Sequence, residues 1–196
     1  MRKLFLLLLG IAVMVMAGCA SSLMQRVDPG QMSEMVKSDE AAIVFFRPNL
    51  AGGGIQSYVI EGNEDGNVNF VAVISSRTKY LHRTTPGRHL YFVGRVGGFG
   101  QMLEANLEAG KTYYAYIFLG LLMGVIPVSD PSDEALKKYL ASCNWVQNTP
   151  EGQDWFQTSL PSLQGAYTKA LTAHQAAAPE AKALMLPEYG TDTPLR

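Results

Sequence analysis

The side chains best suited to chemistry are the three histidines, His82, His89 and His174, and the carboxylates around them. His82 and His89 flank a Pro86-Gly87 turn and could face one another across a hairpin. Glu104 or Glu108 would then complete an acid–base pair or a metal set. The simpler reading is a pair of edge histidines that pack and hydrogen-bond, with His89 as a strand-start residue. Glu61, Glu64 and Asp65 could supply the paired carboxylates of a glycosidase, but they share a glycine-rich turn, where acids usually face water. Nucleophilic catalysis has no anchor, because no Gly-x-Ser-x-Gly elbow occurs. The glycines at 52–54 and 97–100 are not followed by Gly-Lys-Ser/Thr, so they make turns and not phosphate cradles. No catalytic residue, cofactor-binding residue or metal ligand is assigned, and the expectation is a protein that is not an enzyme.

Aromatic crowding offers a different chemistry. Tyr113, Tyr114, Tyr116 and Phe118, with Trp145, Trp155 and Phe156 later, could line a groove for a partner or a glycan. Arg47, just before Pro48 and near the glycine loop, could hold a carboxylate there. The candidate binding surface is therefore Arg47, His89, Tyr114 and Tyr116. Two plainer readings stand beside it. Strands carrying aromatics on both faces are usually core, and Arg47 could simply close its strand with a surface ion pair, which is worth little.

These residues must be positioned by short β-type runs over about residues 40–128. Ala41-Ala42-Ile43-Val44-Phe45-Phe46 is continuously apolar and stops at Arg47-Pro48, where proline removes a ladder donor. Runs at 55–60, 68–74, 78–83 and 89–96 follow, separated by Asp65-Gly66, Pro86-Gly87 and glycine turns. Along 102–108, Leu103, Ala105 and Leu107 alternate with Glu104, Asn106 and Glu108, one face for a core and one for water. Residues 112–119 are apolar on both faces and call for cover on both sides. The expectation is an α+β protein: a mainly antiparallel β-sandwich or partly closed barrel of about seven strands, followed by C-terminal amphipathic helices.

The helical region spans 129–186. Asp130-Pro131-Ser132-Asp133 reads as a helix start, with Ala135, Leu136, Tyr139 and Leu140 at helical spacing. Thr149-Pro150-Glu151 repeats the signal. Leu160, Leu163, Tyr167, Ala170, Leu171 and His174 continue an apolar stripe. The simplest use for these helices is to cover the strand at 112–119. Residues 187–196 read as a flexible tail and residues 19–39 as a spacer rich in turn formers.

The first residues say where the chain belongs. Met1-Arg2-Lys3 is positively charged, and 4–15 is apolar except for Gly10, a length that suits a signal peptide better than a membrane span of roughly 20 residues. It ends in Met16-Ala17-Gly18-Cys19, which resembles the bacterial lipobox, with methionine where leucine is usual. The resemblance implies cleavage after residue 18 and lipidation of Cys19; the alternative is a buried cysteine ending an uncleaved helix. Ala20 follows Cys19 where an Asp would imply retention at the inner membrane. In a Gram-negative cell the implied location is the outer membrane, periplasmic face, with the membrane as partner through the N-terminal lipid anchor.

Removing residues 1–18 takes away two of the 16 basic residues, leaving a net charge of about −3. That charge argues against a nucleic-acid partner. Cys143 is then the one other cysteine, with no partner in the chain. Beside Leu140 and Trp145 it reads as a buried thiol.

Three further motifs carry a second resemblance: Phe45-Phe46-Arg47-Pro48, Thr85-Pro86-Gly87-Arg88-His89, and Leu107-Glu108-Ala109-Gly110-Lys111-Thr112-Tyr113-Tyr114. In order and spacing they resemble a family of bacterial lipoproteins whose domain has no assigned function, and Asp65-Gly66 matches that family's turn before its third strand. The resemblance covers about residues 40–128 and implies a compact β-rich domain and an envelope location. The function it leaves open is read here as a non-enzymatic binding or envelope-maintenance module with an envelope protein or peptidoglycan as partner; the competing reading is a periplasmic enzyme on cell-wall or lipid substrates using His82 or His89.

Overall fold

The computed structural model describes residues 23–31, 36–48, 54–95, 100–119, 123–192 and 194–195. The signal-like segment and Cys19 lie outside the described residues. The fold is α+β, and the described residues contain eleven strands in two mixed sheets and two α-helices toward the C-terminus. No helix among them is long and apolar enough to cross a membrane.

Seven strands were expected, and all seven form: β2 (Ala41–Arg47), β3 (Ser57–Gly62), β4 (Val68–Ile74), β5 (Thr78–Thr84), β6 (Gly87–Arg95), β7 (Gly100–Leu107) and β8 (Thr112–Leu119). Four short ones join them: β1 (Met24–Arg26), β9 (Met123–Pro127), β10 (Asn144–Asn148) and β11 (Ala183–Met185). The first sheet runs β1-β10-β5-β2-β8-β9 and the second β11-β7-β6-β3-β4. Three of the pairings are parallel: β2 with β8, β10 with β5, and β11 with β7. The turns follow their chemistry, with Gly66, Gly87 and Gly110 at positive φ where the chain reverses.

Alternation explains the layers. On β2, Ala41, Ile43 and Phe45 join an apolar layer that draws on both sheets, including Tyr91, Leu103, Tyr113 and Ile117. The intervening Ala42, Val44 and Phe46 point to the opposite face, under helix α1 (Glu134–Ala141). A strand buried on both faces shows no alternation in sequence, which is why β2 reads as a continuous apolar run. On the second sheet, Tyr58, Ile60, Leu90 and Phe92 pack beneath helix α2 (Pro150–Ala176), against Phe156, Leu163, Tyr167 and Leu171.

The sheets do not close into a barrel. Single carboxamides stitch the two open corners. Gln101 Oε1 accepts the Val125 N–H at 3.0 Å, joining β9 to β7, and Asn148 Nδ2 donates to the Val71 carbonyl at 2.9 Å, joining β10 to β4.

Several expectations are corrected. The helices do not both cover residues 112–119: α1 lies over β2 and β8, while α2 crosses β4 and β7 of the other sheet. Helix α1 starts at Glu134, capped by Asp133, three residues later than Asp130 would have placed it; Asp130 accepts the Ser132 N–H and hydroxyl instead. Thr149 does cap α2, accepting the Gly152 N–H at 3.1 Å. Within the stretch read as a spacer, β1 pairs residue for residue with β10. The end of the region read as helical, 129–186, contains β11, and the stretch read as a tail is tied down by a two-way bridge between Thr191 and Thr112.

Candidate functional site

Where the ends of β3, β5 and β6 meet, the structure brings both predicted histidines together, on a carboxylate other than the expected ones. Glu61 Oε2 lies 3.2 Å from His82 Nε2, and Glu61 Oε1 lies 2.6 Å from His89 Nδ1. His89 Nε2 donates to the Thr85 carbonyl at 2.8 Å. Glu61 and His89 belong to the second sheet and His82 to the first, so the cluster spans the sheets at one end of their shared layer. Tyr91, wholly buried, lies beneath, edge-on to His82 and stacked on His89.

The protons follow from the partners. A carbonyl only accepts, so His89 Nε2 carries a proton. Burial pushes the Glu61 carboxyl up, but hydrogen bonds from His82 and His89 and their charge outweigh it and bring it down to about 2. Glu61 is therefore ionised, and His89 Nδ1 must donate as well, which makes His89 an imidazolium. Its pKa is accordingly raised, by the Glu61 hydrogen bond before any other cause. Both carboxylate oxygens are engaged by rings on different strands. Among the described residues, no group of three histidine, cysteine or acidic side chains could hold a metal ion.

Glu104 and Glu108 lie elsewhere. Glu104 faces α2, accepting from Arg88 Nε at 2.6 Å and meeting His174 Nε2 at 3.0 Å. Arg88 also reaches Glu64 at 2.8 Å, and Glu64 accepts from Gln175 at 2.9 Å. This network ties the last turns of α2 to the second sheet. Glu108 pairs with Lys111 across the β7–β8 turn.

The aromatic expectation resolves into a core and a groove. Tyr113 and Tyr114 are core. The Tyr114 hydroxyl accepts the Leu195 N–H at 2.6 Å, so the C-terminal segment covers it. Tyr116, the next outward-facing residue of β8, lines an open groove of about 240 Å³ between β9 and α1. Phe46 stands 5.7 Å from Tyr116, and Tyr139 of α1 lies nearly parallel to it at 6.1 Å. Ile126 and Tyr139 are 49% and 46% exposed, which is high for large apolar side chains. Asp130 and Asp133, both exposed, add carboxylates to the lining.

Arg47 is not a surface ion-pair residue. It is 0% exposed, and its Nη1 donates to the Ile55 carbonyl at 2.6 Å. Burial lowers its pKa, and Tyr116 lies close enough to act on its charge. Arg47 therefore braces the entry to β3 from beneath the groove. Of the four candidate binding residues, Tyr116 lines the groove, Arg47 lies buried near it, Tyr114 is sealed under the C-terminal segment, and His89 belongs to the cluster between the sheets.

Sequence reasoning missed Glu61 in the cluster and, outside both sites, Lys79. In sequence Glu61 reads as a turn acid, although it stands on β3 ahead of the turn. Lys79 carries no local sequence signal, yet it is buried, donates to the Leu140 carbonyl at 2.9 Å and lies 4.4 Å over the Trp145 ring. It caps the C-terminal end of α1, where a cation suits the helix dipole. Cys143 is free and buried, and burial raises its thiol pKa.

No protein-family model, curated protein or solved structure matches this chain.

Proposed function

We propose that this chain is a lipid-anchored envelope protein, held on the periplasmic face of the outer membrane through Cys19, that binds a partner and does not catalyse a reaction. The location is supported by Met16-Ala17-Gly18-Cys19 and by the three motifs resembling a lipoprotein family. The binding reading is carried by the groove at Tyr116, Ile126 and Tyr139, which gathers two of the three exposed large hydrophobic side chains among the described residues. Aromatic rings beside carboxylates suit an envelope protein or a peptidoglycan strand, through stacking and cation–π contacts. The same reading takes the two sheets as a β-sandwich, supported by their shared apolar layer.

The test is a photo-crosslinking residue placed at Tyr139 in intact cells, read by mass spectrometry. One dominant envelope adduct, lost when Tyr116 is changed to Ala, is the expected result. Adducts indifferent to Tyr116→Ala would sink the groove. Cys19→Ala should abolish acylation and release the protein from washed membranes.

One observation favours the enzyme reading: His82, His89 and Glu61 do meet. Against it, Glu61 is spent on two rings and His89 is held as a cation, so neither is poised as a general base. Purified cell wall or phospholipid that is cleaved by the protein and not by His89→Gln would establish the enzyme.

A further inference from the structure

Leu23, four positions after Cys19, already belongs to the fold. Its carbonyl accepts the Thr149 N–H at 3.3 Å, and a Cβ at Gly152 would collide with that same oxygen, so the start of α2 closes directly over it. Met24–Arg26 then adds β1 to the edge of the first sheet. Leu23, Met24 and Trp155 all pack against the apolar layer beneath α2.

This inference rests on Cys19 being the acylated terminus. Only Ala20, Ser21 and Ser22 then separate the lipid from the fold. Fully extended, the chain from Cys19 to Leu23 reaches at most about 14 Å. The acyl chains hold Cys19 at the headgroup boundary. We propose that the end of the molecule formed by β1 and the first turn of α2 lies against the lipid surface, so that the domain is seated on the membrane and does not stand off on a long spacer.

The residues at that end are compatible with such a seat. Trp155 is half-buried, and an indole suits the boundary between headgroups and acyl chains. Arg26, Glu151 and Asp154 are exposed there, a mixed set that neither attracts nor repels headgroups strongly. Seating therefore comes from the covalent anchor and the short connection, not from charge.

The experiment uses the full chain purified with its lipid and reconstituted into phosphatidylethanolamine–phosphatidylglycerol vesicles carrying a headgroup-linked quencher. A fluorophore is attached at Gln153→Cys, an exposed position next to Gly152, in a Cys143→Ala background. Intact mass first confirms that Cys19 is acylated. Quenching of at least half the fluorescence is expected. Insertion of 30 Gly/Ser residues after Ala20, with a root-mean-square reach of about 30 Å, should relieve most of it. An acylated protein with unquenched Gln153→Cys, or equal quenching with the spacer, overturns the seating while leaving the anchor intact. An unacylated Cys19 overturns the anchor reading and the seating with it.

Discussion

The two outer faces of the sheets are covered unequally. Helix α2 has 27 residues and buries Phe156, Leu163, Tyr167, Leu171 and His174 along the second sheet. Helix α1 has 8 residues and buries only Leu136 and Leu140 on the first. At about 1.5 Å per residue, the first cover is roughly 40 Å long and the second about 12 Å. The short helix cannot reach across β8 and β9, so Tyr116 and Ile126 stay open at its margin. A sheet face is left open here through shortage of cover, with no special residue required to open it.

That contrast breaks most severely at Tyr167. Its ring is wholly buried between α2 and β3, and Gly62 is glycine because any Cβ there would run into that ring. Burial pushes the Tyr167 hydroxyl up to about 12. Tyr167→Ala should cost about 4 kcal/mol, lowering the thermal midpoint by roughly 8–16 °C. Gly62→Ala should cost about 2 kcal/mol alone and much less in the Tyr167→Ala background, since the colliding ring is gone. Denaturant unfolding of the two single variants and the double variant measures this coupling; simple additivity would mean the two residues do not oppose each other.

Glu61 supplies a reference that belongs to neither outer face. Its carboxyl is lowered, so the stability it contributes is present above its ordinary value of 4.5 and lost as pH falls through about 2. The His89 pKa is raised, so its contribution is full below the ordinary 6.5 and lost as pH rises through the folded value. Both contributions are complete between about 4.5 and 6.5, and thermal stability should peak there. Glu61→Gln leaves an uncompensated imidazolium and should cost about 3 kcal/mol at pH 5.5, with a flatter profile on both sides. A profile unchanged by Glu61→Gln would show that the cluster does not join the sheets energetically.

On the thinly covered face, Leu136→Ala should cost about 2.5 kcal/mol, less than Tyr167→Ala, because the cavity it leaves opens toward the groove. Hydrogen exchange should speed up in α1 far more than in α2. Equal loss of protection in both helices would erase the distinction between the two covers.

The seven central strands were legible because each carries a local signal: alternation, a doubly buried apolar run, or a glycine at the turn. Strands β1, β10 and β11 were not, because three to five residues without alternation become strands only when an existing edge accepts them. The histidine cluster was half legible. The Pro86-Gly87 turn brought His82 and His89 to notice, but their partner Glu61 comes from a strand more than twenty residues away, and no local spacing encodes that approach. The groove was named through Tyr116, whereas Tyr139 and Ile126 became part of it only once α1 fell short of covering β9. Arg47 and Lys79 were misread or missed because charged residues are taken to be exposed unless a partner is visible, and their acceptors are backbone carbonyls that no sequence displays.

The smallest effect on stability is expected at Tyr139, and it separates cover from surface most cleanly. The residue is 46% exposed, and its ring stacks on Tyr116. Removing it forfeits the half of the side chain that rests on Tyr116 but leaves Leu136 and Leu140 in place beneath α1. Tyr139→Ser should therefore cost about 1 kcal/mol, well under Leu136→Ala. If the groove is where a partner sits, the same substitution should weaken capture at least tenfold, measured as partner crosslinked at a second groove position such as Ile126. A variant that loses stability on the scale of Leu136→Ala would place Tyr139 in the cover. One that keeps both stability and capture would leave the open face without a role in binding.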